Sequence, residues 1–456
     1  MKLIYDVNDK PKFGQLIIFA IQQLLAIMTA TLVVPVIIGN GMSPAAALFG
    51  AGIGTLVYVL FTKKKSPVFL GSSFAFIGSM LAAFAGGVSM ALGYLGLIIG
   101  AAFAGLVYVV IAIIVKLVGV KWIDKVMPAT VIGPIVAIIG LSLAGNAIGD
   151  LLKGGVVDAQ TGFPVASPFA ALICGLVTLL ITIVSSTYGK KYGKLIPFIF
   201  GILGGYALAA IFTIVGNAFG YDSLKVLNVA PFLALVPEGK ITLETFFKVP
   251  DFTFLTAIKG VGELNLTYIG TIAVAYVPVA FVVFAEHLAD HKNISSIIEK
   301  DLLTEPGLHR TLLGDGIGSI AGAIFGGCPN TTYGESVGCV AITKNASVYT
   351  IITAAVLAII ISFISPFIAF VNSIPSCIMG GVCMALYGFI AVSGLKMIQG
   401  VNLNQNKNLF VVSTILIAGI GGLTLTFGKI TLTSVACALI LGIIVNLCVS
   451  KAKDEE

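Results

Sequence analysis

Residues 328–344 read CPNTTYGESVGCVAITK, and they sit inside a strongly apolar chain. The stretch holds a proline, the hydroxyl pair Thr331-Thr332, an aromatic, Tyr333, two glycines and one carboxylate, Glu335. Long hydrophobic runs, 312–327 and 348–370, lie on either side. A carboxylate at membrane depth costs about 3 kcal/mol on insertion scales unless it is protonated, paired or solvated. Glu335 is therefore either a misplaced loop residue or the working part of a membrane protein.

The composition decides for the membrane. Of 456 residues, 58% are hydrophobic and 10% charged, and the mean hydropathy is +1.08. Soluble domains carry about 25% charged residues. Glycine is abundant at 53 residues, which suits close helix approach and broken helices in a bilayer. The net charge of +6 is spread over short loops, with Arg310 the only arginine among the 26 basic residues. That pattern excludes a nucleic-acid binder, which gathers its basic residues on one face. The seven cysteines form no CxxC pair and lie in or at apolar segments. They read as small buried hydrophobes, not as a disulfide or metal framework. The polar opening MKLIYDVNDKPKF lacks the pattern of a cleavable signal.

A spanning helix needs about 20 apolar residues. Fourteen candidates follow: 14–38, 44–62, 68–86, 91–115, 127–149, 167–186, 195–217, 267–289, 311–327, 329–343, 347–370, 375–394, 408–427 and 429–449. With both termini cytoplasmic, 20 of the 26 basic residues fall on the inner side. Of the other six, four lie in the one long outer loop, 219–266. This bias predicts an even number of spans with both ends inside.

The third and tenth spans are irregular. Each opens with a proline, Pro67 or Pro329, and a hydroxyl pair, so neither reads as one unbroken helix. They also match each other. Ser72-Ser73-Phe74-Ala75-Phe76 and Thr331-Thr332-Tyr333-Gly334-Glu335 agree type for type over four positions (hydroxyl, hydroxyl, aromatic, small) at an offset of 259. Seven spans in each half, an odd number, insert the halves with opposite orientation. The expected fold is thus an all-α polytopic membrane protein of two inverted seven-span repeats, residues 1–218 and 267–456, with substrate held near the midplane by discontinuous segments.

Few carboxylates fall inside or at the ends of the spans: Glu286, Asp290, Asp315 and Glu335. Glu286 and Asp290 lie four apart and share a helix face. Two carboxylates at that spacing repel if both ionise, which suits a group that takes up and releases a proton. A solvated interfacial place is the plainer reading for Asp290, which adjoins His291-Lys292. Asp315 precedes Gly316 at the start of a span and reads as a helix cap or a partner of the helix dipole. His287, His291 and His309 read as interface residues. Gln22 and Gln23 can either join helices or face the site. Phe74 and Tyr333 sit beside the breaks and offer a stacking surface for a flat ligand. Metal-ligand spacing, phosphate loops and nucleophile elbows are absent, so no cofactor, metal or catalytic residue is expected and the driving force is an ion gradient.

Glu335-Ser336-Val337-Gly338, followed by Thr343-Lys344, resembles the signature of the nucleobase–ascorbate transporters. PNTTYGE, LGSSFAF, AEH and KDLLTEPGLHR resemble its uracil permease branch, and MGGV at 379–382 and the span pattern carry the resemblance over nearly the whole chain. The resemblance implies a core domain of spans 1–4 and 8–11 (about 14–118 and 267–370). It implies a gate domain of spans 5–7 and 12–14 (about 119–218 and 375–449), with short strands in spans 3 and 10. It implies that Glu286 and Glu335 bind the pyrimidine, that Phe74 packs on the ring, and that Ala30, Tyr333 and Gly334 line the site. Tyr387 would reach it from the gate side, and Glu286 with Asp290 would couple a proton. Two positions depart from the pattern: Ser336 stands where the signature has Asn, and Asp290 where the uracil branch tends to have His.

The implied activity is uracil–proton symport in a cytoplasmic membrane by a multi-pass protein. Its partners are the nucleobase, the proton, membrane lipid and, as an option, a second copy of the chain in a homodimer. Three competitors stand beside it. The same fold could carry xanthine, another purine or another pyrimidine. A sulfate-permease-type anion transporter would want a basic or neutral site. A membrane-embedded enzyme would need a nucleophile or metal triad that the sequence does not offer.

Overall fold

A chain in a bilayer must satisfy its backbone polar groups internally, so apolar runs of this length fold as helices. The computed structural model describes residues 3–158, 163–190, 193, 196–427 and 430–450. Lys2, Lys191, Lys194, Lys429, Lys451 and Lys453, counted in the charge bias, lie outside the described residues. Among those described, eight helical stretches are long and apolar enough to cross a membrane, and three shorter apolar helices accompany them. The protein is an all-α polytopic membrane protein with short strands.

The first half runs α1 (Phe13–Ile38), α2 (Pro44–Phe61), β1 (Leu70–Ser72), α3 (Ile77–Ala83) and α4 (Met90–Val118). It continues with α5 (Lys121–Val126), α6 (Ala129–Ser142), α7 (Ala144–Leu151), α8 (Pro168–Tyr188) and α9 (Pro197–Phe219). After a segment of short helical turns come α10 (Leu266–Ile298), α11 (Leu308–Gly326), β2 (Asn330–Thr332), α12 (Gly334–Thr343), α13 (Val348–Ile361) and α14 (Ser365–Ser373). The chain closes with α15 (Ser376–Ile398), α16 (Asn406–Ile420), the hairpin β3 (Leu425–Phe427) and β4 (Ile430–Leu432), and α17 (Ser434–Val449). Side-chain oxygens of Ser43, Ser89, Ser167, Asn265 and Thr433 cap helix starts, as their residue type favours.

Three expected spans are interrupted. The fifth breaks at Leu143, between α6 and α7. The eleventh breaks after Ile361, where Pro366 opens α14 without a backbone N–H to continue the helix before it. The thirteenth ends at Gly421-Gly422, the second glycine in the left-handed region, and then turns into β3.

Two groups of helices pack through glycine. In the first, α2 and α11 lie together, with α4 and α13 against them. Gly314, Gly318, Gly322 and Gly326 recur every fourth residue and so share one face of α11. A Cβ on Gly54 would lie 2.7 Å from the Gly318 carbonyl oxygen, and one on Gly318 would lie 2.7 Å from that of Gly54. Each side chain added there would force the helices apart. In the second group, α15 packs on α6, α7 and α8, and α16 on α6 and α17. A Cβ on Gly133 would meet the Gly394 carbonyl oxygen at 2.9 Å, and one on Gly175 that of Cys377 at 2.6 Å. Helices α1 and α10 bridge the groups, α1 touching α9 and α15, and α10 touching α6 and α17.

Strands β1 and β2 pair antiparallel against α1, α2, α10 and α11, Leu70 opposite Thr332 and Ser72 opposite Asn330. The N-terminal segment is tied to the chain beyond α12. Ile4 N–H donates to the Lys344 carbonyl at 2.8 Å and Ala346 N–H to that of Tyr5 at 2.9 Å. Lys300 pairs with Asp6 at 2.5 Å and holds its carboxyl below the usual carboxylate range. Of the seven cysteines, six are buried as expected of small hydrophobes, whereas Cys448 is exposed near the end of α17.

Candidate functional site

The pairing of β1 with β2 brings the segments that precede α3 and α12 together at the head of α12. Gly71 makes this approach possible, because a Cβ there would overlap the Tyr333 ring and come within 2.8 Å of Thr31 Oγ1. Tyr333 is buried, and its hydroxyl donates to the Ser72 carbonyl at 2.7 Å. The tyrosine thus staples one break to the other.

Ser336 does the same from below. Its Oγ accepts from the Phe69 N–H at 2.9 Å and also from the Gln23 amide of α1. All three residues are almost fully buried. The serine that departs from the family signature therefore supplies one acceptor shared by two donors. Gln23 joins helices; Gln22 Oε1 is buried and has no partner among the described residues.

Beside this junction lies a cavity of about 390 Å³. Glu286 and Asp290, one turn apart on α10, line it together with Phe74, Tyr333, Gly334 and Glu335. The facing wall is made by α6, α8, α9 and α15, through Val136, Ser186, Phe198 and Phe389 among others. No lysine, arginine or histidine lies on its wall among the described residues. Asp290 accepts a hydrogen bond from Thr332 Oγ1 at 2.8 Å, so it is a cavity residue and not a solvated interfacial one. Glu335 is the second residue of α12, where a carboxylate meets the positive end of the helix dipole. The first N–H groups of that helix have no intrahelical partner; the first to bond inside is Val337, to the Tyr333 carbonyl at 3.2 Å.

Two expected residues stand apart from the wall. Ala30 is buried on α1, one turn beyond Ala26, which does line the cavity. Tyr387 is buried on α15 and meets Phe74 edge-on, ring centroids 6.0 Å apart, without lining the cavity.

Behind Glu286 lies a polar cluster that sequence reading placed elsewhere. His287 is fully buried, its Nδ1 2.7 Å from Asp315 Oδ2 and its Nε2 3.0 Å from Thr311 Oγ1. Asp315 lies well inside α11, fully buried, so it caps no helix. His291 is also buried, stacked on His287 with centroids 4.0 Å apart and its Nε2 2.7 Å from the Tyr58 hydroxyl. These two histidines are core groups and not interface ones. The signal was the spacing itself: residues 287 and 291 share a face that 286 does not.

A permease family model matches residues 14–428 of the chain. The chain belongs to this family. It is 38% identical to a uracil permease of Bacillus caldolyticus over 98% of this chain and 94% of that one. It is 37% identical to a uracil permease of Bacillus subtilis over 100% of this chain and 97% of that one. Among solved structures, the transmembrane domain of a cyanobacterial bicarbonate transporter, BicA, superposes with a TM-score of 0.60, covering 97% of this chain and all of that one (100%) at 14% identity. That likeness speaks to the fold. The permease is a membrane transporter and not an enzyme.

Proposed function

We propose that this permease imports uracil together with a proton. The observation that carries the reading is one cavity holding three carboxyls and, among the described residues, no basic side chain, beside the first N–H groups of α12, which have no partner inside that helix. Uracil is flat and neutral, with two N–H donors and two carbonyl acceptors. Glu286 and Glu335 accept from the donors. The first N–H groups of α12 serve a carbonyl. Phe74 covers the ring face. A wall of carboxyls without a cation stands against an anionic substrate, since like charges repel in a medium that screens poorly. The same repulsion favours a proton accompanying uracil, with Glu286 and Asp290 as the coupling pair.

The wider arrangement we infer is fourteen spans in two inverted repeats, residues 1–218 and 267–456 joined by 219–266, both termini cytoplasmic. Spans 3 and 10 are the broken pair. Support comes from the antiparallel β1–β2 pairing and the reciprocal glycine contacts of α2 and α11. The first helix group then forms a core and the second a gate, and the substrate crosses as one moves against the other.

Uptake of labelled uracil into proteoliposomes, with and without an imposed pH gradient, tests the reading. Accumulation only with an inward-directed proton gradient is the expected result. Xanthine uptake without uracil uptake would overturn the substrate, and gradient-independent accumulation would overturn the coupling.

A further inference from the structure

We infer that the N-terminal strap, residues 4–9, positions the carboxyl site: it ties the foot of α12 to the foot of α10 and so sets how Glu335 stands to Glu286 and Asp290, a role that rests on the uracil reading for its ligand. Helix α12 has ten residues, and a helix so short is not stable by itself. One of its faces has little to lean on, because Gly334, Glu335, Gly338, Cys339 and Ile342 border the cavity. Its position is therefore set by its two ends. At the head, Tyr333 and Ser336 hold it to the β1 segment, and Thr332 donates to Asp290 of α10 at 2.8 Å. Lys344, at the foot, lies about 14 Å along the axis from Glu335, out of reach of those bonds.

The strap holds that foot. The Ile4 and Tyr5 N–H groups both donate to the Lys344 carbonyl, at 2.8 and 3.4 Å. Ala346 N–H donates to the Tyr5 carbonyl at 2.9 Å and Val348 N–H to the Val7 carbonyl at 3.0 Å, so the strap runs parallel to residues 344–348. The Ser347 hydroxyl donates to the Asp9 carbonyl at 2.6 Å. Val7 is 3% exposed and packs into the hydrophobic core. The strap also reaches α10: Lys300, two residues past the end of that helix, pairs with Asp6 at 2.5 Å. Asp6 is set for this by the Val7 N–H, which donates to its Oδ1 at 2.7 Å. A half-exposed ion pair is worth little by itself; Val7 and the backbone bonds carry the strap, and the pair gives it a direction. From the strap the chain enters α1, whose Gln23 amide bonds Ser336. One continuous stretch thus grips α12 at foot and head. With the strap released, α12 can pivot about its stapled head, and the carboxyls lose the spacing that receives two N–H donors of one flat ring.

Val7→Asp puts a charge where the core receives Val7 and should release the strap. The purified variant is compared with wild type by amide hydrogen exchange and by uracil binding, well below the unfolding temperature. Expected are faster exchange confined to α12 and the last turn of α10, and a Kd for uracil raised about tenfold, as when one molecule in ten holds the binding arrangement. Should Val7→Asp fail to fold, Val7→Ala and Asp6→Lys take its place, with the same pattern and a smaller rise. Asp6→Lys should weaken binding, and Asp6→Lys with Lys300→Asp should restore it. Unchanged exchange in α12, or faster exchange spread over both helix groups at unchanged Kd, would overturn the positioning role. A reversed pair that restores nothing would remove Asp6 from it. Wild-type protein that binds no uracil would strike the substrate reading instead, and exchange in α12 would then decide the strap by itself.

Discussion

Replacing Ser336 by alanine removes one oxygen and orphans two donors. The Phe69 N–H, at 2.9 Å, loses its acceptor at the entrance to β1, and the Gln23 amide loses its anchor on α12. Each buried donor left unpaired costs about 1–3 kcal/mol. The Gln23 side chain can turn to seek another acceptor, whereas the Phe69 N–H is fixed by the backbone. We therefore expect a loss of about 2 kcal/mol, close to thirtyfold in an equilibrium constant. The loss falls on the arrangement that presents Glu335 and the open N–H groups of α12. Purified Ser336→Ala should unfold at a lower temperature, gain less from added uracil, and show a raised apparent KM for uptake. Ser336→Asn, which restores an acceptor and matches the family signature, should recover more uptake than alanine. A double-mutant cycle with Gln23→Leu should return a coupling of about 0.5–3 kcal/mol between the two sites. Wild-type thermal stability and KM in Ser336→Ala, with no coupling to Gln23, would show that this oxygen does not hold the two breaks together.

Glu286→Gln and Glu335→Gln should each abolish uracil uptake while the protein still inserts and purifies as a folded monodisperse species; uptake at the wild-type rate in either variant would remove that residue from the site. Asp290→Asn keeps an acceptor for Thr332 but no longer titrates, so it should weaken the response of uptake to external pH more than it weakens uracil binding. A pH profile between about 5 and 8 that matches wild type would count against Asp290 in coupling. Gly318→Val places branched carbons against the Gly54 carbonyl, 2.7 Å from where the Cβ must sit. Overpacking costs about 1–3 kcal/mol even where neighbours can move, and here the neighbour is backbone, so we expect little folded protein by size-exclusion chromatography.

What could be read from the chain differs sharply between adjacent residues. Glu286 was legible because a carboxylate in an apolar helix needs a reason, and a cavity is the commonest one. His287 was not, although it is the next residue, because a histidine is acceptable at an interface and in a core alike. Its buried partner Asp315 is 28 positions away, on another helix. The apolar run begins near Asp315 and so suggests a helix start there; α11 instead starts at Leu308, carried back by residues that hydropathy alone does not include. Pro329 and the hydroxyl pair mark an irregular stretch, and Asn330–Thr332 forms a strand there, yet its pairing with Leu70–Ser72 is a contact across 260 residues that only the matching repeat hinted at. Ser336 illustrates the limit most clearly. A comparison of motifs marks it as a departure, whereas the geometry makes it the acceptor on which both breaks converge. Sequence reasoning finds residues that are costly where they stand. It does not find residues whose cost has already been met by a partner far along the chain, and in a membrane protein those partners, glycine against glycine and histidine against aspartate, hold the site in place.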